Sequence, residues 1–243
     1  MKKKILLGLG ALALAVVAAP MFAAFEAHVI NVTATIENAL SVNTTSIDFG
    51  TVFPQEQLDK QFVVDLSASF IAENRVDDVR YIIRQKPKCL ADDQSGNTAS
   101  GHVDDQGNIS CPSGYTLLPL LCPYLSKHPI IDNTEFDGGP DTSDNDGSLD
   151  AFHQIGYIST STGIWVWNDV SGYLAKSAND YYDTWNLDLK VPCFGGNCAQ
   201  DWADYVYNIN SSANPDDYVQ PIGNEHKLFG CDIWIEVTGI SED

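Results

Sequence analysis

The chain has 243 residues, with 33 acidic against 13 basic side chains and a formal net charge of −20. A field of this sign repels nucleic acid and anionic lipid, so a nucleic-acid partner is excluded from the predicted functions. A chain of this length can bury a substantial core as one large β domain.

The N-terminus has the pattern of a secretory signal peptide. Lysines at positions 2–4 precede an uncharged apolar run, Ile5 to Ala19, and the small pair Ala23-Ala24 follows. We predict cleavage by signal peptidase after residue 24, which leaves residues 25–243 as a single β-sandwich domain. The apolar stretch also approaches the length of a membrane span, and an anchor is the alternative. The predicted localisation is extracellular, either secreted or at the cell surface.

The chain contains an even number of cysteines, as expected of disulfides in an exported protein. They are Cys89, Cys111, Cys122, Cys193, Cys198 and Cys231. We predict three bridges, two local and one distant, although sequence does not choose among the possible pairings. A local bridge suits Cys193 and Cys198, which bracket the turn-forming stretch FGGN. A zinc site is disfavoured because the spacing is not CxxC and no histidine lies close by.

Several stretches alternate apolar and polar residues with a period of two, which is typical of half-buried β-strands. They are QFVVDLSASF (61–70), VRYIIR (79–84), WNLDLKV (185–191), CDIWIEV (231–237) and INVTATI (30–36). No stretch has a helical stripe sustained over three turns. We therefore predict an all-β fold, an antiparallel β-sandwich of jelly-roll type.

Two regions interrupt this pattern. Residues 90–114 and 128–151 are polar, rich in Gly and Asp, and poor in apolar side chains. We predict that both are long loop insertions on the sandwich, the first of them tied down by Cys111.

The second loop contains a partial calcium-binding pattern. Asp144, Asp146 and Asp150 place carboxylates at the spacing of a D-x-[DN]-x-[DN]-G loop. However, the first position of that frame is Thr142, and the twelfth is His153 instead of a bidentate Glu. Calcium is therefore the one cofactor that the sequence suggests, and a solvated acidic loop is the alternative.

Two tryptophans suggest a carbohydrate site. Trp165 and Trp167 would share one face of a strand, with Val166 on the other. Exposed aromatic faces of this kind stack against sugar rings in carbohydrate-binding sandwiches. The alternative is that both rings fill the core, where tryptophan buries a large apolar area.

The sequence contains no recognisable catalytic motif. Its five histidines are scattered, and neither HExxH nor GxSxG occurs. Acidic residues are plentiful, but nothing singles out a pair as a glycosidase dyad. We therefore predict that the protein is not an enzyme, and a secreted hydrolase remains the third hypothesis.

Three stretches together resemble the TasA/camelysin family of exported β-sandwich proteins. The leader ends in FAAFEAH, similar to the family's alanine-then-phenylalanine junction. Ile47–Ser69, IDFGTVFPQEQLDKQFVVDLSAS, is similar to the family's strand, Gly-and-Pro turn and second strand. Arg75–Gln85, RVDDVRYIIRQ, falls where the family's next strand would lie. The resemblance covers about residues 18–86.

This resemblance implies a jelly-roll subunit of a matrix fibre or cell surface, which self-associates into a homopolymer and contacts other surface proteins or polysaccharide. In such fibres the N-terminal segment of one subunit completes the sheet of the next, and main-chain hydrogen bonds make a freed terminal strand suited to this. The candidate donated contacts are Phe25, Val29, Ile30, Val32 and Ile36. The alternative is that this strand pairs within its own sheet. The second functional hypothesis is a secreted carbohydrate- or calcium-binding module.

Overall fold

A computed structural model gives the fold of the chain and describes residues 35–131, 151–152, 157–158, 164–167 and 169–242. The chain separates into two compact units, residues 1–36 and 37–243. In the first unit only Thr35 and Ile36 are described, and neither lies in a strand or helix. The second unit contains the β-sandwich.

The strands of the described residues are numbered in chain order. They are β1 Leu40–Val42, β2 Gln57–Leu66, β3 Val76–Ala91, β4 Thr98–Ser100, β5 His102–Val103, β6 Ile109–Ser110, β7 Tyr115–Leu117, β8 Leu125–Ile131, β9 Tyr157–Ile158, β10 Trp165–Val166, β11 Val170–Ala175, β12 Tyr182–Lys190, β13 Cys193–Phe194, β14 Val219–Gln220 and β15 Cys231–Glu242. Two α-helices accompany them, α1 Ala68–Ala72 and α2 Trp202–Ile209. Short 3₁₀ helices span Cys122–Tyr124, Pro215–Tyr218 and Ile222–Asn224.

Two antiparallel sheets form the sandwich. Sheet A has the order β1-β2-β12-β8, and sheet B has the order β11-β3-β15, with β4 and β7 paired to the distal part of β3. The two sheets pack against each other, which confirms the predicted all-β sandwich. Strands β2, β3 and β12 are central, so each is paired along both edges.

The core follows the predicted alternation along these central strands. Every second side chain points between the sheets, where removal of apolar surface from water stabilises the fold. The inward residues are Phe62, Val64 and Leu66 on β2, Val79, Tyr81 and Ile83 on β3, and Trp185, Leu187 and Leu189 on β12, all buried. Their cross-sheet contact makes one continuous apolar cluster.

The alternation of QFVVDLSASF ends earlier than predicted. Strand β2 stops at Leu66, and Ser67 caps helix α1 by accepting a hydrogen bond from the Phe70 backbone N–H at 3.1 Å. Phe70 is still buried, but from a helix and not from a strand. Serine favours such caps because its hydroxyl satisfies a backbone donor that the first helical turn leaves unpaired.

Helix α2 was not predicted from the sequence. Trp202 and Val206, four residues apart, are buried on one face of it. The Trp202 ring packs edge-on against Phe152, with ring centroids 6.0 Å apart. At eight residues the helix is too short for the sustained stripe by which helices are recognised.

The first predicted loop, residues 90–114, contains more structure than expected. Strands β4, β5 and β6 lie within it, and β4 pairs with β3. A disulfide joins Cys89 to Cys111, as predicted for the anchoring of this region. Of the second predicted loop, β8 occupies the start, and most of the remainder lies outside the described residues.

Two of the three predicted disulfides are formed, Cys89–Cys111 and the local bridge Cys193–Cys198. The other two cysteines, Cys122 and Cys231, are free thiols in the structure, so the third bridge is not present. Two bonded pairs indicate an oxidising, extracellular type of environment.

Candidate functional site

A groove opens between the two sheets, lined by residues of all four strands of sheet A and by the start of β15 in sheet B. Its cavity volume is about 200 Å³. The groove is lined by Val42, Thr44, Thr45, Ser46, Ile47, Phe49, Phe62, Lys88, Leu121, Leu125, Leu187, Cys231, Asp232, Ile233 and Ile235. Most of the lining is apolar, and the polar part comes from Thr44, Thr45, Ser46, Lys88 and Asp232. A cavity of this size accommodates one branched or aromatic side chain.

The groove has a floor and two banks. Phe62 and Leu187 of sheet A belong to the floor, and both are fully buried core residues. The segment 42–49 forms one bank, and Ile233 and Ile235 of β15 lie on the other. Both isoleucines pack against the core while remaining partly exposed, so they offer apolar surface to a further side chain.

Side-chain hydrogen bonds hold the first bank in place. The Asn43 side chain accepts a hydrogen bond from the Val63 backbone N–H at 2.9 Å, and the Asn43 backbone N–H donates to the Val63 carbonyl at 3.2 Å. Further along, Asp48 accepts a hydrogen bond from the Gly50 N–H at 2.8 Å, at a turn where Gly50 has a φ of 71°. Asn and Asp favour this role because their short side chains bond nearby backbone groups. The bank is therefore an ordered wall and not a loose loop.

Strand β15 supplies an open edge beside the groove. It pairs antiparallel with β3 along one edge, and no strand pairs with its other edge in the part of the chain that the structure describes. Three of its larger apolar side chains, Trp234, Val237 and Ile240, are exposed. A twelve-residue edge with unpaired backbone groups is a template for another strand.

The charges around β15 are paired with one another. The Lys88 ammonium lies 2.8 Å from the Asp232 carboxylate, and the Ser100 hydroxyl donates to the same carboxylate. On the outer face, the Lys86 ammonium sits over the Trp234 ring. The groove mouth therefore carries little unbalanced charge, although the chain as a whole is strongly acidic.

A polar cluster covers the outer face of sheet A. The Ser126 hydroxyl donates to Asp188 Oδ2 at 2.9 Å, and Asn186 Nδ2 donates to Asp188 Oδ1 at 2.5 Å and to Asp59 Oδ1 at 3.3 Å. Burial raises the pKa of Asp188; the Ser126 hydrogen bond opposes this, and a hydrogen bond with Asp59 adds to it. The two carboxyls are in contact with each other, whereas a glycosidase pair holds a substrate between carboxyls roughly 5 Å or more apart. This cluster serves to hold β2, β8 and β12 together.

The structure brings the two predicted sugar-stacking tryptophans together but does not offer Trp165 to solvent. The ring centroids of Trp165 and Trp167 are 5.8 Å apart, and Trp165 is only 2% exposed. The Arg84 guanidinium lies 5.3 Å from the centroid of the half-buried Trp167 ring. Trp165 therefore packs as a core residue, which was the alternative expected from the sequence.

The remaining predicted site residues fall largely outside the described part of the chain. This applies to the calcium candidates Asp144, Asp146 and Asp150, and to the donor-strand residues Phe25, Val29, Ile30 and Val32. Ile36 is described and is 95% exposed. Within the described residues, no group of three or more His, Cys, Asp or Glu side chains could hold a metal ion.

No local sequence pattern marks the groove. Its banks come from residues 42–49 and from β15, which are almost two hundred positions apart and show no shared motif. The one part of the groove that a sequence pattern indicated is the alternation containing Ile233 and Ile235, which correctly predicted a half-buried strand.

No protein-family model, curated protein or solved structure matches this chain. In the described residues, no helix has the length and apolarity needed to cross a bilayer. The function is therefore inferred from the groove and from the sequence of the N-terminal segment.

Proposed function

We propose that this chain is an exported, non-catalytic structural subunit that polymerises at the cell surface or in the extracellular matrix. In the proposed fibre, residues 25–36 of one copy lie along the free edge of β15 in the next copy. One of the large apolar side chains of the donated segment fills the groove. The observation that carries the proposal is the groove of about 200 Å³ next to β15, whose second edge pairs with no strand among the described residues.

The chemistry of the two surfaces supports this pairing. The donated segment alternates apolar and polar residues, with Ile30 and Val32 on one face and Asn31 and Thr33 on the other. A strand added to β15 would bond to its free backbone groups, while the apolar face of the segment covers the groove.

Two further observations support export and surface assembly. Residues 1–24 have the sequence pattern of a signal peptide, and the two disulfides suit an oxidising compartment. The resemblance of residues 18–86 to the TasA/camelysin family leads to the same type of subunit. Because all copies carry the same strong negative charge, added salt would speed their assembly by screening repulsion.

Negative-stain microscopy and sedimentation of protein beginning at Phe25 test the proposal. We expect filaments from this protein and only soluble monomer after deletion of residues 25–36. The double variant Ile30→Asp with Val32→Asp should also remain monomeric. Its matched control, Asn31→Asp with Thr33→Asp, adds the same charge on the opposite face and should still form filaments.

The proposal fails if protein beginning at Phe25 stays monomeric at high concentration and at high salt. It fails equally if the deletion variant forms filaments as readily as the longer protein. Thermal melting of each variant distinguishes lost assembly from lost folding, because the sandwich should retain its melting temperature when the segment is removed.

A further inference from the structure

The two free cysteines lie together in the interior, at the junction between the sheets. Leu120 forms a parallel bridge with Gly230, so the residues that follow each of them run side by side. Cys122 Sγ lies 3.7 Å from the Lys86 carbonyl oxygen, and Cys231 stands opposite Pro87, the next residue of β3. The same short piece of β3 therefore positions both thiols.

The two thiols differ in access. Cys122 is completely buried, whereas Cys231 is partly exposed and lines the groove. Burial, and after it a hydrogen bond with the Cys231 thiol, raises the pKa of Cys122. The groove is thus an open path for a small reagent to Cys231 but not to Cys122.

A buried lysine faces this pair. Lys127 is 0% exposed, and its Nζ makes no hydrogen bond within the described residues. Burial lowers the pKa of Lys127 to about 8, and the nearby thiols of Cys231 and Cys122, with Asp169, oppose that shift. Burying an amine without a hydrogen-bond partner destabilises the folded state. A role in the chemistry of the two neighbouring thiols would account for a lysine at this position.

We propose that Cys122 and Cys231 form a third disulfide, with Cys231 reacting first and the Lys127 amine accepting the proton of Cys122. The Cys231 thiolate attacks one sulfur of an external disulfide and releases one thiolate, which leaves a mixed disulfide at Cys231. The Cys122 thiolate then attacks Cys231 Sγ, the second external thiolate leaves, and the Cys122–Cys231 bond forms. The two thiols lose two protons and two electrons, and the external disulfide takes up both electrons.

This bond would join the start of β15 in sheet B to the 3₁₀ helix that leads into β8 of sheet A. It would close a much longer loop than either of the existing bridges, and longer loops gain more from closure in the chain-entropy description. One bank of the groove would then be held covalently to the opposite sheet. Formation of the Cys122–Cys231 bond does not require the proposed fibre assembly.

Oxidation of the purified chain by glutathione disulfide tests the proposal. After incubation, unfolding and alkylation, peptide mapping without reductant should find Cys122 linked to Cys231 and no free thiol. The bridges Cys89–Cys111 and Cys193–Cys198 in the same sample show whether oxidation was complete. We expect the melting temperature to rise by about 5–10 °C on closure of the third bond. The proposal is overturned if both thiols are still alkylated while the other two bridges are intact.

Single variants test the order of reaction. Cys122→Ser should accumulate a glutathione adduct at Cys231, whereas Cys231→Ser should leave Cys122 unmodified until the protein unfolds. Adduct formation on Cys122 in the folded Cys231→Ser variant would overturn the proposed order. Intact-mass spectrometry detects the adducts in both variants, and this readout does not depend on whether the subunits form filaments.

The role of Lys127 is tested by Lys127→Met, with Lys60→Met at an exposed position of β2 as the control. Lys127→Met should close the bond about tenfold more slowly near pH 8 and recover as hydroxide deprotonates the thiol at higher pH. Lys60→Met should close at the rate of the unmodified chain. An unchanged rate for Lys127→Met at every pH would remove the lysine from the mechanism.

Discussion

Gly172 of β11 lies directly opposite Tyr81 of β3, and the Tyr81 ring occupies the space that a side chain at position 172 would need. A Cβ placed on Gly172 would lie 2.1 Å from Tyr81 Cζ and 2.4 Å from its hydroxyl oxygen. Real Cβ atoms essentially never approach other atoms so closely, so the absence of a side chain at Gly172 makes room for the Tyr81 ring. This contact orients the Tyr81 hydroxyl toward Asp183 and Trp185.

Gly172→Ala should therefore destabilise the sandwich by about 2–3 kcal/mol, because the buried ring must move within a close-packed core. Chemical denaturation measures this. Gly239→Ala in β15 is the matched control, since nothing lies within 4 Å of a Cβ at that position. It should be neutral or slightly stabilising. Equal effects of the two substitutions would contradict the steric explanation.

Tyr81→Phe should cost about 1–3 kcal/mol in the free energy of unfolding, because it removes a hydroxyl that serves two buried partners. That hydroxyl donates to Asp183 and accepts from Trp185 Nε1 at 2.8 Å. Burial, together with the Asp183 charge, raises the pKa of Tyr81, so the hydroxyl keeps its proton and remains a donor. Tyr207→Phe is the control at an exposed position and should change stability little. A loss as small for Tyr81→Phe as for the control would show that the network contributes no net stability.

Lys127→Met should stabilise the protein at pH 7 and lose that advantage as the pH rises. The folded-state pKa of Lys127 is about 8, below its ordinary value of 10.5, so folding disfavours the charged form. The unfolded chain therefore binds more protons between pH 8 and pH 10.5, and the stability of the unsubstituted chain rises through that window. The cost at pH 7 is on the order of 3 kcal/mol.

Urea denaturation at pH 7 and at pH 10 measures the difference between Lys127→Met and the unsubstituted chain. Cys122 and Cys231 are kept in the same oxidation state in every sample, because both groups also influence the pKa of Lys127. A difference that does not shrink with pH would rule out a buried, titrating amine as its source.

Thr45→Phe should block filament formation without unfolding the subunit. Thr45 is exposed on the bank of the groove, so a phenylalanine there can fold into the cavity of about 200 Å³. The melting temperature should stay the same or rise, because the added ring removes apolar surface from water. Thr98→Phe, on an exposed position of β4, is the control and should assemble normally. Normal filaments from Thr45→Phe would mean that the groove is not the acceptor.

Much of the fold was predictable from local pattern. The alternation of Phe62, Val64 and Leu66, and of Trp185, Leu187 and Leu189, predicted which faces are buried, because a strand can bury only every second side chain. The local bridge between Cys193 and Cys198 was predicted for a similar reason, since the four residues between them form a turn that brings the two cysteines together. Helix α1 was missed because the alternation continued through Ser67, where the serine cap overrides it.

The sequence by itself determined the all-β class, the acidity and the presence of disulfides, because each depends on residues that are near neighbours or on composition alone. Only the tertiary structure decided where residues from distant parts of the chain meet. It put segment 42–49 beside β15 to form the groove, and it brought Lys127 to two thiols that no local spacing connects. Such contacts depend on the order in which strands pair and on how the sheets stack, and neither is encoded in the period of any single strand.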